Sequence, residues 1–204
     1  MKDRTNLYFA CAALGTLALA VAPAPHAHDN DSHSLGAISQ QLSNSNQSKR
    51  NELVKIVKQV TAKYKSVAIA ENDGYQLLFG CVSDEYSGAM GLHYVKLDRY
   101  MPAPGVFDAE IKAEEPEILL YEPTPWGPKL TGADYLIDAA TWNATHAHAP
   151  ELNGQIFHFF DAPNRFGLPP FYTLHVWAWK DSPTGTFVNW HKDVRCDAHN
   201  GPTQ

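Results

Sequence analysis

The chain of 204 residues lacks the signatures of the commonest enzyme chemistries: it has no GxSxG elbow, no HExxH helix, no GxxxxGK[ST] phosphate loop, no GxGxxG and no CxxC. Serine-hydrolase, nucleotide and dithiol redox chemistry lose their sequence support together. A basic excess is also missing. Sixteen Lys+Arg stand against 22 Asp+Glu, a net charge of −6, and a chain of that sign gains little from phosphate backbones or anionic membrane surfaces. Nucleic acid is therefore excluded as an expected partner. Only 3 residues are cysteine. Long apolar runs are absent except for Leu7 to Ala22, about 16 residues, which is short of the ~20 a bilayer span requires.

That one run is informative. Lys2 and Arg4 precede it and a Pro/Ala stretch follows, the pattern of a secretory signal peptide over residues 1–27, with cleavage expected after Ala27. Cys11 lies inside the apolar core and leaves with it. The expected location is secreted or periplasmic, with no membrane insertion once the signal is cut. Export leaves Cys81 and Cys196 in an oxidising compartment, where they are expected to form a disulfide. It would close a loop of about 115 residues and add on the order of 4 kcal/mol in the chain-entropy picture.

Residues 28–48 are rich in Ser, Asn, Gln and Asp, with too little apolar surface to offset the entropy of ordering. They read as a flexible leader. Its histidines (His28 and His33, with His26 just upstream) interleave with Asp29 and Asp31, a tract able to scavenge metal. Were His28 the first mature residue, its amine and imidazole could chelate copper as a histidine brace. The folded domain is expected at 49–204. It opens with an amphipathic helix, because Leu53, Val54, Ile56, Val57, Val60 and Tyr64 form one stripe with lysines opposite. Thereafter short β-prone runs alternate with Pro/Gly punctuation: Gln76 to Val82, Met90 to Leu97, Glu117 to Glu122, Lys129 to Ile137 and Phe171 to Lys180, with Gln155 to Phe160 as a sixth. No run is followed by a helix long enough for a parallel crossover. The expected fold class is α+β, one long amphipathic helix packed on a curved, mainly antiparallel sheet of five or six strands.

The segments GAMGLHYV, PEILLYEP, GQIFHFF and FYTLHVWAW, followed by GTFVNW and a late cysteine, resemble a family of uncharacterised secreted bacterial proteins over residues from about 60 to 196. The resemblance implies a bacterial exported protein. It brings no activity, so the chemistry is argued from the residues.

With 10 histidines in the chain, two strands each carry one among apolar neighbours. His93 shares a strand face with Gly91 and Val95, and His175 shares one with Thr173, Trp177 and Trp179. Glu122 ends a third strand on the face of Leu120. Two imidazoles and a carboxylate on neighbouring strands suit copper, zinc, iron or manganese, so His93, Glu122 and His175 are the expected metal ligands. His158 is the substitute ligand, and Tyr94 or Tyr172 could assist proton transfer. The other reading of Glu122 is an ion pair with Arg165 or Lys129, and of the histidines a hydrogen-bonded core role. His146 and His148, two apart in a Pro-bounded loop, form a weaker chelating pair. Trp177, Trp179, Trp190, Tyr172 and Phe171 concentrate at the C-terminal strand and tail, as core or as the wall of a ligand pocket. The functional expectation is an exported metal-binding protein, extending to a metal-dependent enzyme acting on a small substrate. The alternative is a non-catalytic periplasmic or secreted ligand-binding domain with an aromatic pocket.

Overall fold

In the computed structural model residues 30–204 are described, with side chains from Leu35 onward. The expected signal peptide, Cys11, His26 and His28 lie outside the described residues. The chain divides into a unit ending at Ser39 and one spanning Gln40–Gln204, and the second contains the fold.

Helix α1 spans Asn30–Thr61 and continues as a 3-10 turn, Ala62–Lys65, and a short helix α2, Val67–Asn72. The helix thus runs back through the segment expected to be a flexible leader. Every described side chain from Leu35 to Glu52 is exposed, and burial begins only at Leu53. The expected amphipathic stripe is the part that packs, since Leu53 and Val57 are fully buried and Val54 and Ile56 flank them. That is the pattern of a helix fixed by tertiary contact on one face.

The sheet is built from β1 (Gln76–Asp84), β2 (Gly88–Val95), β3 (Ile118–Glu122), β4 (Lys129–Asp138), β7 (His158–Phe160) and β8 (Phe171–Val176), with a separate hairpin of β5 (Glu151–Leu152) and β6 (Gln155–Ile156). Its order is β1-β2-β3-β4-β8-β7, every pairing is antiparallel, and it curls into a half-barrel. The α+β expectation is met. The run read as one sixth strand is two: Asn153 and Gly154 have φ of 49° and 76°, which makes the Asn-Gly hairpin turn of β5 and β6. Phe157 then turns inward, its N–H donating to Pro150 O at 3.0 Å, before β7 joins β8.

Strand alternation sorts the core into two faces. Leu92, Tyr94, Leu119, Tyr121, Ala133, Tyr135, Leu174 and Val176 lie on the helix side, together with Leu53, Val57 and Tyr64. Val95, Ile118, Leu120, Leu136, Phe171 and Trp177 lie on the other, covered by Val194 and the Pro-rich segment around Phe166 and Leu168. The C-terminal tail is fastened over this second face. His191 and Ala89 exchange backbone hydrogen bonds at 3.0 and 3.1 Å, and Cys81 N–H donates to Pro202 O at 3.1 Å. Cys81 and Cys196 form the expected disulfide, 115 residues apart. Among the described residues no helix is long and apolar enough to cross a membrane.

Candidate metal centre

On the second face three of the buried ionisable side chains come together. His93, Asp134 and His175 are each at most 3% exposed, and each offers a ligand atom within 4.8 Å of the other two. Register and curl bring them together. Asp134 and His175 are direct cross-strand partners on β4 and β8. Ile118 on β3 links Asp134 to Val95 on β2, and His93 stands two residues from Val95 on the same side. In a flat sheet His93 and His175 would be three strand spacings apart, roughly 14 Å. Their ring centroids are 5.9 Å apart, so the cluster sits on the concave side of the half-barrel.

Each side chain is held from behind. The His93 ring Nδ1 lies 3.1 Å from Gly91 O. A carbonyl only accepts, so Nδ1 carries the proton and Nε2 keeps its lone pair. Gly91 is required there: its φ is 84°, and a Cβ would meet Tyr121 O at 2.4 Å. Asp134 accepts from Thr173 Oγ1 at 2.5 Å. His175 Nδ1 is 3.4 Å from Asp134 Oδ1, too long for a hydrogen bond, and neither His175 nitrogen has a hydrogen-bond partner. Asn189 is beside His175, where its amide favours the protonated ring, yet its Oδ1 is also buried and unpartnered.

Burial dominates the electrostatics. It pushes the Asp134 carboxyl up to about 7 against the opposing hydrogen bond from Thr173, and the His93 imidazole down to about 4. His175 is lowered well below its ordinary value by burial, with His93 and His158 adding to the effect. Near neutral pH both rings are therefore uncharged and available as ligands. A cavity of about 20 Å³ adjoins the three side chains, room for one water-sized molecule. Phe79, Phe160, Phe166, Phe171, Met90 and Leu168 line the rest of it. Phe79 reaches it from a bulge in β1, where its φ of 68° is unusual for a side chain of this size.

The other expected site residues are elsewhere. Glu122 is not in the cluster. It is paired to Lys180 at 2.7 and 2.8 Å and accepts from Arg195 N–H at 3.2 Å, so its partner is neither Arg165 nor Lys129. His158 pairs with Thr173 across β7 and β8, on the cluster's side of the sheet, but its side chain is exposed at the rim. Tyr94 and Tyr172 belong to the helix-side face, where Tyr94 packs against Tyr121 with centroids 5.0 Å apart and Tyr172 donates to Asn143 Oδ1 at 3.1 Å. Period-two alternation puts both on the side opposite their histidine neighbours. His146 is stacked on Trp142, centroids 3.7 Å apart, and makes no pair with His148 among the described contacts. Asp134, Thr173 and Asn189 were missed, although Asp134 carries a signal: it is a carboxylate in the middle of a β-prone run, where solvent cannot reach it.

No family model, curated protein or solved structure matches the chain.

Proposed function

We propose that this is an exported metal-binding protein whose site is His93, Asp134 and His175. The observation that carries the reading is His175, a fully buried imidazole with both ring nitrogens unpartnered, facing a carboxylate and a second imidazole. Each buried polar atom left without a partner costs ~1–3 kcal/mol, and one ion among the three ligand atoms would remove much of that cost. An ion ~2.1 Å from each ligand spaces neighbouring ligand atoms by ~3.0–3.4 Å, and the 3.4 Å between His175 Nδ1 and Asp134 Oδ1 fits.

Two imidazoles and one carboxylate accept copper, zinc, iron or manganese, and three protein ligands leave a position open. The adjoining cavity of about 20 Å³ would give that position to one small molecule, water or dioxygen, inside an apolar wall that excludes bulk solvent. This supports extending the reading from binding to metal-dependent catalysis on a small substrate. Export is supported by the Cys81–Cys196 disulfide, since such bonds persist in oxidising compartments. Loading with Co²⁺ tests the site. Visible absorption bands of a four- or five-coordinate ion should appear in the wild type and vanish in His93→Ala and His175→Ala, while far-UV circular dichroism stays unchanged. Identical spectra in all three proteins would exclude this site.

A further inference from the structure

The turn between β3 and β4 holds a tryptophan almost entirely in water. Trp126 is 94% exposed, whereas indole is highly buried on average. Its support is stiff. Gly127 N–H donates to Thr124 O at 3.0 Å, Thr124 Oγ1 donates to Gly127 O at 2.7 Å, and Trp126 N–H donates to Thr124 Oγ1 at 3.2 Å. Pro123, Pro125 and Pro128 restrict the backbone on both sides. A side chain displayed on so rigid a turn loses little further freedom when something binds it.

Trp126 lines a groove of about 510 Å³ together with Trp179, Lys65, Lys129 and Leu130, a volume in the range of ligand sites, ~300–1,000 Å³. Trp179 is fixed by its Nε1–H, which donates to Thr61 Oγ1 at 2.9 Å. Lys65 Nζ stands 4.0 Å from the Trp179 ring centroid and Lys58 Nζ 5.9 Å. Among the described residues Lys58, Lys65 and Lys129 pair with no carboxylate, and no acid lines the groove. In a chain of net charge −6 this is a local reversal of sign, beside two indoles.

We propose that the groove binds an acidic carbohydrate. A sugar ring offers a C–H face to indole, and a uronate or sulfated sugar carries its charge on the edge of that same ring. One such unit therefore meets a tryptophan face and a lysine together. A nucleotide separates its stacking base from its phosphate by a sugar's length, so it does not offer ring face and charge from one unit. The groove shares no residue with the cavity beside His93, Asp134 and His175, so it stands whether or not that site holds a metal.

Fluorescence titration of the full chain tests this with three probes: oligogalacturonate, oligomannuronate and a sulfated heparin oligosaccharide. At least one should shift tryptophan emission to the blue and saturate, with affinity falling as salt is raised. Trp126→Ala should weaken that binding at least about tenfold, as should Lys65→Gln combined with Lys129→Gln. Trp126 is exposed, so its replacement leaves the melting temperature and metal content unchanged. Flat titrations with all three probes would overturn the proposal, as would saturation indifferent to Trp126→Ala. Equal binding of a neutral cello-oligosaccharide would overturn its acidic part. Tighter Trp126-dependent binding of a thymidine oligonucleotide or of phosphatidylglycerol vesicles would assign the groove to a different partner.

Discussion

Replacing His175 by leucine separates a metal ligand from a structural histidine. In the metal-free protein His175 is buried with two unpartnered nitrogens, so an apolar side chain of similar size should stabilise the fold by about 1–3 kcal/mol. With metal only the wild type gains. An ion at a hundred times its dissociation constant stabilises the wild type by about 2.7 kcal/mol, and a domain of this size gains roughly 2–4 °C in melting temperature per kcal/mol. The wild type should therefore melt roughly 5–11 °C higher in the presence of its ion, and His175→Leu should not respond. Differential scanning calorimetry of both proteins, after chelator treatment and then with copper, zinc, iron or manganese, provides the comparison. A chelated His175→Leu melting well below chelated wild type would refute the reasoning, because it would mean that the imidazole makes stabilising contacts of its own. So would a wild type that no ion shifts.

Further outcomes follow from the same geometry. Asn189→Ala should weaken metal binding about 10–100-fold in a chelator competition while the fold is kept: Asn189 stands beside His175 with its Oδ1 unpartnered, placed to take up the ring N–H once the other nitrogen binds an ion, and such a partner contributes on that scale. Glu117 is buried, accepts from Leu136 N–H at 3.1 Å, and is pushed up to about 8 by burial. Its folded value lies above its ordinary 4.5, so its share of stability is full below that pH and is lost as pH rises toward 8. Glu117→Gln should remove this decline, worth up to about 5 kcal/mol, and urea denaturation across the range would show parallel curves if the argument fails. Replacing Cys81 and Cys196 by alanine should cost about 2–5 kcal/mol, and a loss below about 1 kcal/mol would mean that hydrogen bonds alone hold the tail.

Much of this was legible in the sequence, for identifiable reasons. Leu53 and Val57 announce the packed part of α1 through their spacing, but nothing in a Ser/Asn/Gln-rich segment announces that the helix continues back to Asn30. The main strands were visible as apolar runs between Pro and Gly. Asn153-Gly154 just ahead of Gln155 to Phe160 is itself a hairpin signal, and the hairpin it forms splits the apolar run that reads as one strand. In the candidate site, His93 and His175 stood out as lone polar residues in apolar strands. The carboxylate was misassigned because Glu122 closes its strand, where Lys180 can reach it, while Asp134 lies mid-strand on the concave face. Alternation says which residues share a face. It does not say that a sheet will curl until three strand spacings become a ring contact, and that curl builds the cluster.

The most direct measurement is elemental analysis of the protein purified without a histidine tag, alongside His93→Ala, Asp134→Ala and His175→Ala. About one equivalent of a single transition metal per wild-type chain, lost in all three variants, is the predicted result. A wild type that retains no metal after exposure to copper, zinc, iron and manganese, or variants that retain it as fully as the wild type, would contradict the account.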